Sequence, residues 1–297
     1  MKNILIIGAS GFLGSHLYNF LKLELNSYFV QGTYFKNKTN PELYFLDLTN
    51  KRELEYYILE IKPDILIWLS GWKPKECEEN YSQAIRLHID PLINIIEILN
   101  REKINSKIIY LSSDYVFDGI KGNYTEEDKT NPRTNYGKLK GASEQILLNL
   151  HSNSKIIRTS AVMGQRGIFF DWMFNTLQNE DKISCFEDLF FSPTPIQFLN
   201  EMIKEIVLNY DSIEERIIHI SGGKSMSRFE FVKMVSKYMP NHKIQIFPER
   251  SIKIQDKNSK EALFGKNLSL IPSKFVKDKM KISFEEYIQQ DIQKALS

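Results

Sequence analysis

Residues 4–23 read ILIIGASGFLGSHLYNFLKL, and this stretch decides the fold. The four apolar residues from Ile4 to Ile7 are typical of a strand that is buried on both faces, and a glycine ends the run. From Phe12 onward, apolar residues recur at helical spacing. The glycines between them allow a tight turn, and the amide groups that begin the helix favour an anion. The stretch therefore predicts a strand–turn–helix unit that binds the pyrophosphate of a dinucleotide.

The rest of the first half alternates between strand and helix patterns. Further strands are predicted at residues 28–34, 43–46, 65–69, 107–111 and 155–157, and helices at residues 49–61, with Thr49 as the cap, 81–99 and 136–150. This alternation implies right-handed crossovers and an α/β fold, namely a Rossmann doubly wound parallel sheet. Beyond Gly164 the rhythm is irregular, which indicates a smaller, mostly helical C-terminal substrate domain. We expect an NAD(P)-binding domain at 1–163 and a substrate-binding region at 164–297, of which about 196–220 returns to the first domain.

Composition narrows the class of protein. The formal net charge of the 297 residues is +2, so no strong field points to nucleic acid or to an acidic membrane. No stretch reaches the ~20 apolar residues that would span a bilayer, and Gly8 and Ser10 interrupt the apolar start too early for a secretory signal. Cys77 and Cys185, the only two cysteines, form neither a disulfide framework nor a metal-ligand pattern. We expect a cytoplasmic protein without a metal.

The end of the second strand bears on the choice of dinucleotide. An NAD site usually carries an acid there that holds the ribose 2′-hydroxyl. Residues 32–38 read GTYFKNK and contain no acid. Lys36 or Lys38 could meet a 2′-phosphate, so NADP(H) is favoured over NAD(H). The alternative is that both lysines are exposed loop charges.

Tyr136 and Lys140 form a Tyr-x-x-x-Lys pair on a predicted helix. This spacing places both side chains on one helix face, one turn apart. An ammonium favours the ionised form of a phenol, which would bring the tyrosine pKa nearer to working pH. The phenol could then protonate a carbonyl oxygen while NAD(P)H delivers hydride to the carbon. Ser113 could hydrogen-bond the same oxygen.

The pair pattern alone is unspecific, because Tyr18 with Lys22 and Tyr34 with Lys38 match it too. Context favours Tyr136, because a strand that ends in Ser112-Ser113 lies just upstream. Ligands bind at the carboxyl ends of the strands in such sheets.

Several further motifs occur in a fixed order along the chain. They are LSSDYVFDG (111–119), GNYTEED (122–128), NYGKLKGASE (135–144), IIRTSAVMG (156–164), SPTPIQFL (192–199), SMSRFEF (225–231) and KNLSLIPSK (266–274). With the GASGFLG turn, they identify the chain as similar to the extended short-chain dehydrogenases. More narrowly, the chain resembles the dTDP-4-dehydrorhamnose reductase family over nearly its whole length.

The resemblance implies an enzyme that uses NADPH to reduce a keto group, at C4, on a nucleotide-linked 6-deoxy sugar. A role in polysaccharide biosynthesis is expected on the same ground. The oligomeric state stays open, and a homodimer is the commonest arrangement for such a fold. The implied catalytic residues are Ser113, Tyr136 and Lys140. The implied cofactor-binding residues are Gly8, Ser10, Gly11, Phe12, Leu13, Gly14, Tyr34, Lys36, Asp47, Leu48, Leu69, Ser70, Gly71, Leu111, Tyr136 and Lys140. The implied substrate-binding residues are Ser113, Asp114, Trp72 and Ala161.

Three departures from the family pattern stand out. Residues 68–72 read WLSGW where the family has a sequence like Asn-Ala-Ala-Ala-Tyr. His88 replaces an asparagine, and a structural role for this histidine is favoured over a catalytic one. Ala161 replaces a tryptophan that would form a flat wall of the sugar pocket. The reaction therefore looks retained and the sugar pocket altered.

Rival functions share the fold. A sugar-nucleotide 4,6-dehydratase needs an Asp-Glu pair where this chain has Asp114-Tyr115, and an epimerase-reductase needs a cysteine near that strand, where the sequence has none. A non-catalytic dinucleotide-binding subunit, like the regulatory subunit of methionine adenosyltransferase, is disfavoured by the intact catalytic set but stays open. The sequence also leaves two roles open, contact with a diphosphate or an ordinary ion pair, for Arg158, Arg228 and Lys266.

Overall fold

The computed structural model describes residues 1–239, 244–251 and 265–296. The strands are β1 Lys2–Ile7, β2 Tyr28–Tyr34, β3 Tyr44–Phe45, β4 Ile65–Trp68, β5 Lys107–Ser113, β6 Ser154–Thr159, β7 Val162–Met163, β8 Lys182–Phe186, β9 Phe190–Phe191, β10 Thr194–Pro195, β11 Ile217–Ile220, β12 Met226–Ser227 and β13 Gln245–Glu249. The main sheet has seven of them in the order β11-β6-β5-β4-β1-β2-β3, and the β1–β2, β1–β4, β2–β3 and β4–β5 pairings are parallel. The α/β Rossmann fold is thereby confirmed.

Helices occupy most connections between the strands of the main sheet, and three more follow β11 among the described residues. They are α1 Phe12–Glu24, α2 Lys51–Ile61, α3 Pro74–Glu79, α4 Tyr81–His88, α5 Asp90–Arg101, α6 Asn135–Leu150, α7 Ile168–Asn179, α8 Ile196–Leu208, α9 Arg228–Ser236, α10 Lys274–Lys279 and α11 Phe284–Leu296.

The prediction of one helix over residues 81–99 is wrong. The segment forms α4 and α5, and α3 precedes them. Pro91 causes the break, because its ring clashes with the carbonyl of the preceding turn and it has no N–H to donate. It sits instead in the first turn of α5, where neither is a penalty.

The predicted cap of α2 is also wrong. Asn50 caps α2, and its side chain accepts from the Glu53 N–H at 3.3 Å. The Thr49 hydroxyl donates to the Asp47 carboxylate at 2.7 Å instead.

The chain divides into two compact units. Unit 1 comprises residues 1–116, 134–158 and 204–217, and unit 2 comprises residues 117–133, 159–203 and 218–297. The first change of unit therefore lies after residue 116 and not after residue 163, where the sequence placed it. Residues 117–133 belong to unit 2 because Tyr124 bridges to Leu270 and Asn123 donates its N–H to the Ser269 hydroxyl oxygen. The expected return to the first domain is shorter, at 204–217.

Each unit has its own apolar core. In unit 1 the core lies between the sheet and its helices and contains the buried residues Leu66, Trp68, Ile95 and Ile108. Helices and three two-stranded sheets build unit 2 among its described residues, and Cys185 lies in its core. No helix among the described residues is long and apolar enough to cross a membrane.

Candidate functional site

The turn between β1 and α1 depends on two glycines. Gly8 has φ +86°, a conformation that other residues rarely adopt. A Cβ added to Gly14 would lie 2.1 Å from the Gly8 carbonyl oxygen, so only glycine lets α1 approach β1 this closely. The Gly11 N–H donates to the Gly8 carbonyl at 3.1 Å and closes the turn.

The first turn of α1 has no side-chain cap. Gly11 stands at the N-cap position, and a glycine has no side chain that could accept from the N–H groups that follow it. Uncapped amides and the helix dipole together favour an anionic group. The turn and the start of α1 therefore fit a pyrophosphate, and the six residues predicted to hold it all lie here: Gly8, Ser10, Gly11, Phe12, Leu13 and Gly14.

The ends of β2 and β3 carry the residues that were predicted to lie near the adenosine. Lys36 is exposed just beyond β2, and the Lys38 ammonium lies 5.5 Å from the centre of the Tyr34 ring. Asp47 accepts from the Thr49 N–H at 2.9 Å and so shapes the turn after β3. Leu48 is buried.

The segment after β4 is held by two hydrogen bonds that its departures from the family pattern supply. Trp68 donates from Nε1 to the Ser70 carbonyl at 3.1 Å, and the Trp72 N–H donates to His88 Nε2 at 2.8 Å. A Cβ on Gly71 would lie 2.5 Å from His88 Cε1. His88 therefore supports the turn, because its ring edge packs against Gly71 and its Nε2 accepts from the Trp72 N–H.

The acid–base state of His88 follows from this packing. Burial, and then the charge of Lys140, lower the pKa of His88 to about 3, so the ring is neutral. Because Nε2 accepts from Trp72, the ring proton is on Nδ1. A neutral ring with this tautomer suits the structural role that the sequence favoured, because it keeps an acceptor for the turn.

Lys140, Tyr136 and Ser113 meet at the carboxyl end of β5. Lys140 donates from Nζ to the Leu111 carbonyl at 2.8 Å, and its ammonium lies 5.8 Å from the centre of the Tyr136 ring. That ring packs edge-on against Tyr115, with ring centroids 5.6 Å apart. The Tyr115 N–H in turn donates to the Ser113 hydroxyl oxygen at 3.3 Å. The structure thus brings the three predicted catalytic residues together.

The tyrosine pKa differs from the sequence expectation. Burial, followed by the nearby ionisable groups Tyr110 and Asp114, raises the pKa of Tyr136 above its usual value. The phenol is therefore protonated at neutral pH. The Lys140 ammonium does not reverse this effect, and the pKa of Lys140 is itself lowered to about 8, chiefly by burial.

Ser113 has a carboxylate beside it. Its hydroxyl donates to Asp114 Oδ1 at 2.9 Å, and both side chains are buried. The carboxylate therefore fixes the orientation of the hydroxyl. To donate to a substrate oxygen instead, the hydroxyl must rotate away from Asp114.

Thr134 and Glu78 fix the start of α6, and only one of them could be recognised from the sequence. Thr134 accepts from the Gly137 N–H at 2.9 Å as an ordinary N-cap. Glu78, from α3, accepts from the N–H groups of Asn135 at 2.7 Å and Tyr136 at 3.2 Å. A carboxylate at a helix N-terminus is stabilising, and here it anchors the residue that carries the phenol. Only the threonine has a local sequence signal, so sequence reasoning missed Glu78.

Cys77 lies closer to the site than its sequence position indicated. It packs in a small cluster with Leu139, Trp72 and Tyr136, and its Sγ lies 3.7 Å from His88 Nε2. Burial raises the pKa of this thiol to about 12, so it stays protonated. A thiol that stays buried and protonated is a poor base, which disfavours the epimerase hypothesis.

The structure assigns roles to cations that the sequence left open. Arg158 is buried and pairs with Glu144 at 2.7 Å. In unit 2, the Arg228 guanidinium lies 5.3 Å from the centre of the Phe169 ring, and Lys266 pairs with Asp188 at 3.4 Å.

One of the competing Tyr-x-x-x-Lys pairs, Tyr18 with Lys22, is engaged elsewhere. Tyr18 donates its hydroxyl to Glu42 at 3.0 Å, and Lys22 forms an ion pair with the same carboxylate. Both side chains of that pair are thus engaged by one glutamate.

Ala161 lies in unit 2, where it is exposed and its carbonyl accepts from the Thr194 N–H at 2.9 Å.

Among residues 1–239, 244–251 and 265–296, no group of three or more His, Cys, Asp or Glu side chains could hold a metal ion.

Comparison with known proteins agrees with this geometry. Residues 1–279 match the RmlD substrate binding domain family. The dTDP-4-dehydrorhamnose reductase of Aggregatibacter actinomycetemcomitans is 31% identical over 237 residues, which cover 78% of this chain and 77% of the relative. The crystal structure of dTDP-4-dehydrorhamnose reductase from Bacillus anthracis in complex with NADP superposes with a TM-score of 0.81 at 26% identity and covers 99% of both chains.

A relative of another kind also matches. Methionine adenosyltransferase 2 subunit beta from Bos taurus is 28% identical over 165 residues, which cover 55% of this chain and 48% of that protein.

Proposed function

The chain belongs to the RmlD substrate binding domain family, and on that basis we propose that it is an NADPH-dependent oxidoreductase that reduces the C4 keto group of a dTDP-linked 6-deoxy sugar. The observation that carries the proposal is the arrangement at the end of β5. Lys140 is fixed to the Leu111 carbonyl, and Tyr136 is linked to Ser113 through Tyr115. Similar reductases in two organisms, one of them solved with NADP, support the substrate class and the cofactor.

The residues of unit 1 fit NADPH. The glycine turn and the uncapped start of α1 would hold the pyrophosphate. Lys36, exposed beyond β2 where no acid stands, would meet a 2′-phosphate. The remaining residues would lie along the cofactor from positions near the carboxyl ends of β2, β3, β4 and β5: Tyr34, Asp47, Leu48, Leu69, Ser70, Gly71 and Leu111.

Proton transfer is the task of Tyr136. NADPH, when bound, supplies the hydride that reduces the carbonyl carbon. The Tyr136 phenol donates its proton to the carbonyl oxygen, which completes the alcohol. Its raised pKa suits this direction, because a proton donor must hold its proton at working pH. Ser113 would orient the same oxygen after it turns away from Asp114.

Lys140 compensates the charge that proton donation leaves. Its ammonium stands 5.8 Å from the centre of the phenol ring and favours the phenolate once it forms. The neighbouring backbone carbonyl fixes its direction, so the charge is in place before reaction.

Substrate recognition is the part that departs from the family. Asp114 would approach the sugar from the end of β5, and Trp72 from the turn after β4. Ala161 would leave room where relatives have a large aromatic wall. We infer that the sugar, or a substituent on it, is bulkier than in relatives that carry the tryptophan.

A second candidate is a dinucleotide-binding subunit without turnover, because one relative is a methionine adenosyltransferase subunit. The positioned lysine and tyrosine favour the enzyme. The same experiment separates the two functions.

The experiment follows the absorbance of NADPH with a panel of dTDP-4-keto-6-deoxy sugars, and compares the wild type with Tyr136→Phe. We expect turnover with one sugar, slower with NADH, and a loss of roughly 10²–10⁴-fold in the variant with NADPH binding retained. NADPH binding without turnover on any sugar would support the subunit instead.

A further inference from the structure

A buried polar network lies directly behind the catalytic residues. Arg158, on β6, donates from Nε to Glu144 Oε1 at 3.0 Å and from Nη2 to Oε2 at 2.7 Å. The side chains of Arg158 and Glu144 are 3% and 1% exposed, so water screens neither charge. The Ser112 hydroxyl donates to the same carboxylate. Ser112 adjoins Ser113, so the network ties the end of β5 to α6.

Glu144 stands one helical turn after Lys140 on α6. Oppositely charged residues at this spacing ordinarily form an ion pair on a helix. Lys140 instead donates to the Leu111 carbonyl, and no carboxylate of the described residues lies within ion-pair distance of its ammonium. Glu144, the carboxylate with which Lys140 could form an ion pair, is paired with Arg158 instead.

The other groups near Lys140 offer it no competing charge. Tyr110, on β5, presents its ring 4.7 Å from the ammonium, and Tyr136 presents its own at 5.8 Å. Burial keeps Tyr110, Cys77 and His88 in their neutral forms. Of the groups that act electrostatically on the Lys140 ammonium, Glu144 is therefore the one that is ionised and attracts it.

We propose that Arg158 is a positioning residue for catalysis: by holding the Glu144 carboxylate, it keeps Lys140 at the end of β5, where the lysine serves Tyr136 and the cofactor. This inference rests on the proposed function. It assigns to a buried ion pair a task beyond stability, and it explains why an arginine with two parallel donors occupies this position on β6.

Removal of Arg158 changes the balance of charge. A buried carboxylate without a partner is costly, so Glu144 must find another cation or a proton. Lys140 is the nearest cation on the same helix face. We expect it to turn toward Glu144, to leave the Leu111 carbonyl, and to hold its proton more tightly.

The test measures NADPH binding by fluorescence as a function of pH in the full-length wild type, Arg158→Met and the double variant Arg158→Met with Glu144→Gln. The single variant should bind NADPH about tenfold more weakly, as for one lost charge-assisted hydrogen bond. The loss of binding at alkaline pH, here called the alkaline limb, should lie at higher pH in this variant because the lysine holds its proton more tightly. The double variant, which has no carboxylate to capture the lysine, should recover wild-type affinity, and its alkaline limb should lie below that of the single variant because Glu144 no longer raises the pKa of Lys140.

Arg158→Lys covers the case in which Arg158→Met fails to fold. It keeps the charge but only one point of attachment, so binding should weaken less and the alkaline limb should move in the same direction. An unchanged alkaline limb in each folded single variant would overturn the proposal, and so would a double variant no better than Arg158→Met. Failure of the wild type to bind NADPH would instead overturn the proposed function, so the two failures are distinguishable.

Discussion

At the scale of single residues, the Lys140 ammonium determines how the site responds to pH. Its pKa is lowered to about 8, chiefly by burial, so the lysine loses its charge as pH rises through that value. We therefore expect kcat/KM for the sugar to be level below about pH 8 and to fall above it. Lys140→Met should lower the plateau by roughly a hundredfold and remove this limb. Lys138→Met is the matched control, because Lys138 is exposed on the same helix.

His88 permits a test of the turn that it supports. His88→Leu leaves the Trp72 N–H without an acceptor, which should lower the free energy of unfolding by about 1–3 kcal/mol. His88→Asn, the residue that the family pattern places here, can retain an acceptor and should cost less. Urea unfolding of both variants checks this order. Equal losses would show that the ring supports the turn by packing alone.

At the scale of elements, two helix glycines give opposite predictions for the same substitution. Gly14→Ala places a Cβ against the Gly8 carbonyl, so we expect a loss of about 1–3 kcal/mol and loss of NADPH binding. Gly141→Ala meets no atom within 4 Å on α6, and should stabilise the helix by up to ~1 kcal/mol with binding unchanged. Thermal melts and NADPH titrations of both variants check the pair. Similar effects from the two substitutions would contradict the close approach of α1 to β1.

Sequence patterns predicted the elements wherever the cause is local. The strand at residues 28–34 and the helix that follows the glycine turn begin as expected, because burial and turn chemistry lie within the segment. The prediction of a single helix at 81–99 was wrong because it followed the spacing of the apolar residues and gave too little weight to Pro91, where the helix breaks.

Contacts that are distant in the sequence could not be foreseen. Glu78 anchors the start of α6 from a helix 57 positions away along the chain. The same is true of Cys77, which the sequence placed outside the site and the fold brings against Tyr136. The catalytic residues had a motif to reveal them, whereas their supports depend on tertiary packing.

At the scale of the whole molecule, Asp291 links stability to pH. This carboxyl on α11 is 5% exposed, and burial raises its pKa to about 7 even though Lys294 and the Ile196 N–H favour its charge. The unfolded chain releases this proton near pH 4, so stability should fall as pH rises from about 4 to about 7 and then level off.

Asp291→Asn tests this dependence because the amide cannot ionise. Relative to the wild type, the variant should gain stability between about pH 5 and about pH 8, which melting temperatures at the two values measure. Asp278→Asn, at an exposed position on α10, is the control. A wild-type melting temperature that rises over this range in step with the Asp291→Asn variant would contradict the link.

The fold of the whole chain was predictable and its division was not. Alternating strands and helices indicate a doubly wound sheet from residue patterns alone. The assignment of residues 117–133 to unit 2 depends on hydrogen bonds to residues near position 269, a separation that no local pattern records.

The most direct measurement of the central claim is the fate of deuterium from deuterated NADPH. Wild-type protein, deuterated NADPH and a dTDP-4-keto-6-deoxy sugar should give an alcohol with the deuterium on C4, as read by NMR, and Tyr136→Phe should give almost none. Deuterium at another carbon of the sugar, or a sugar recovered without deuterium while NADPH stays bound and unoxidised, would contradict the account.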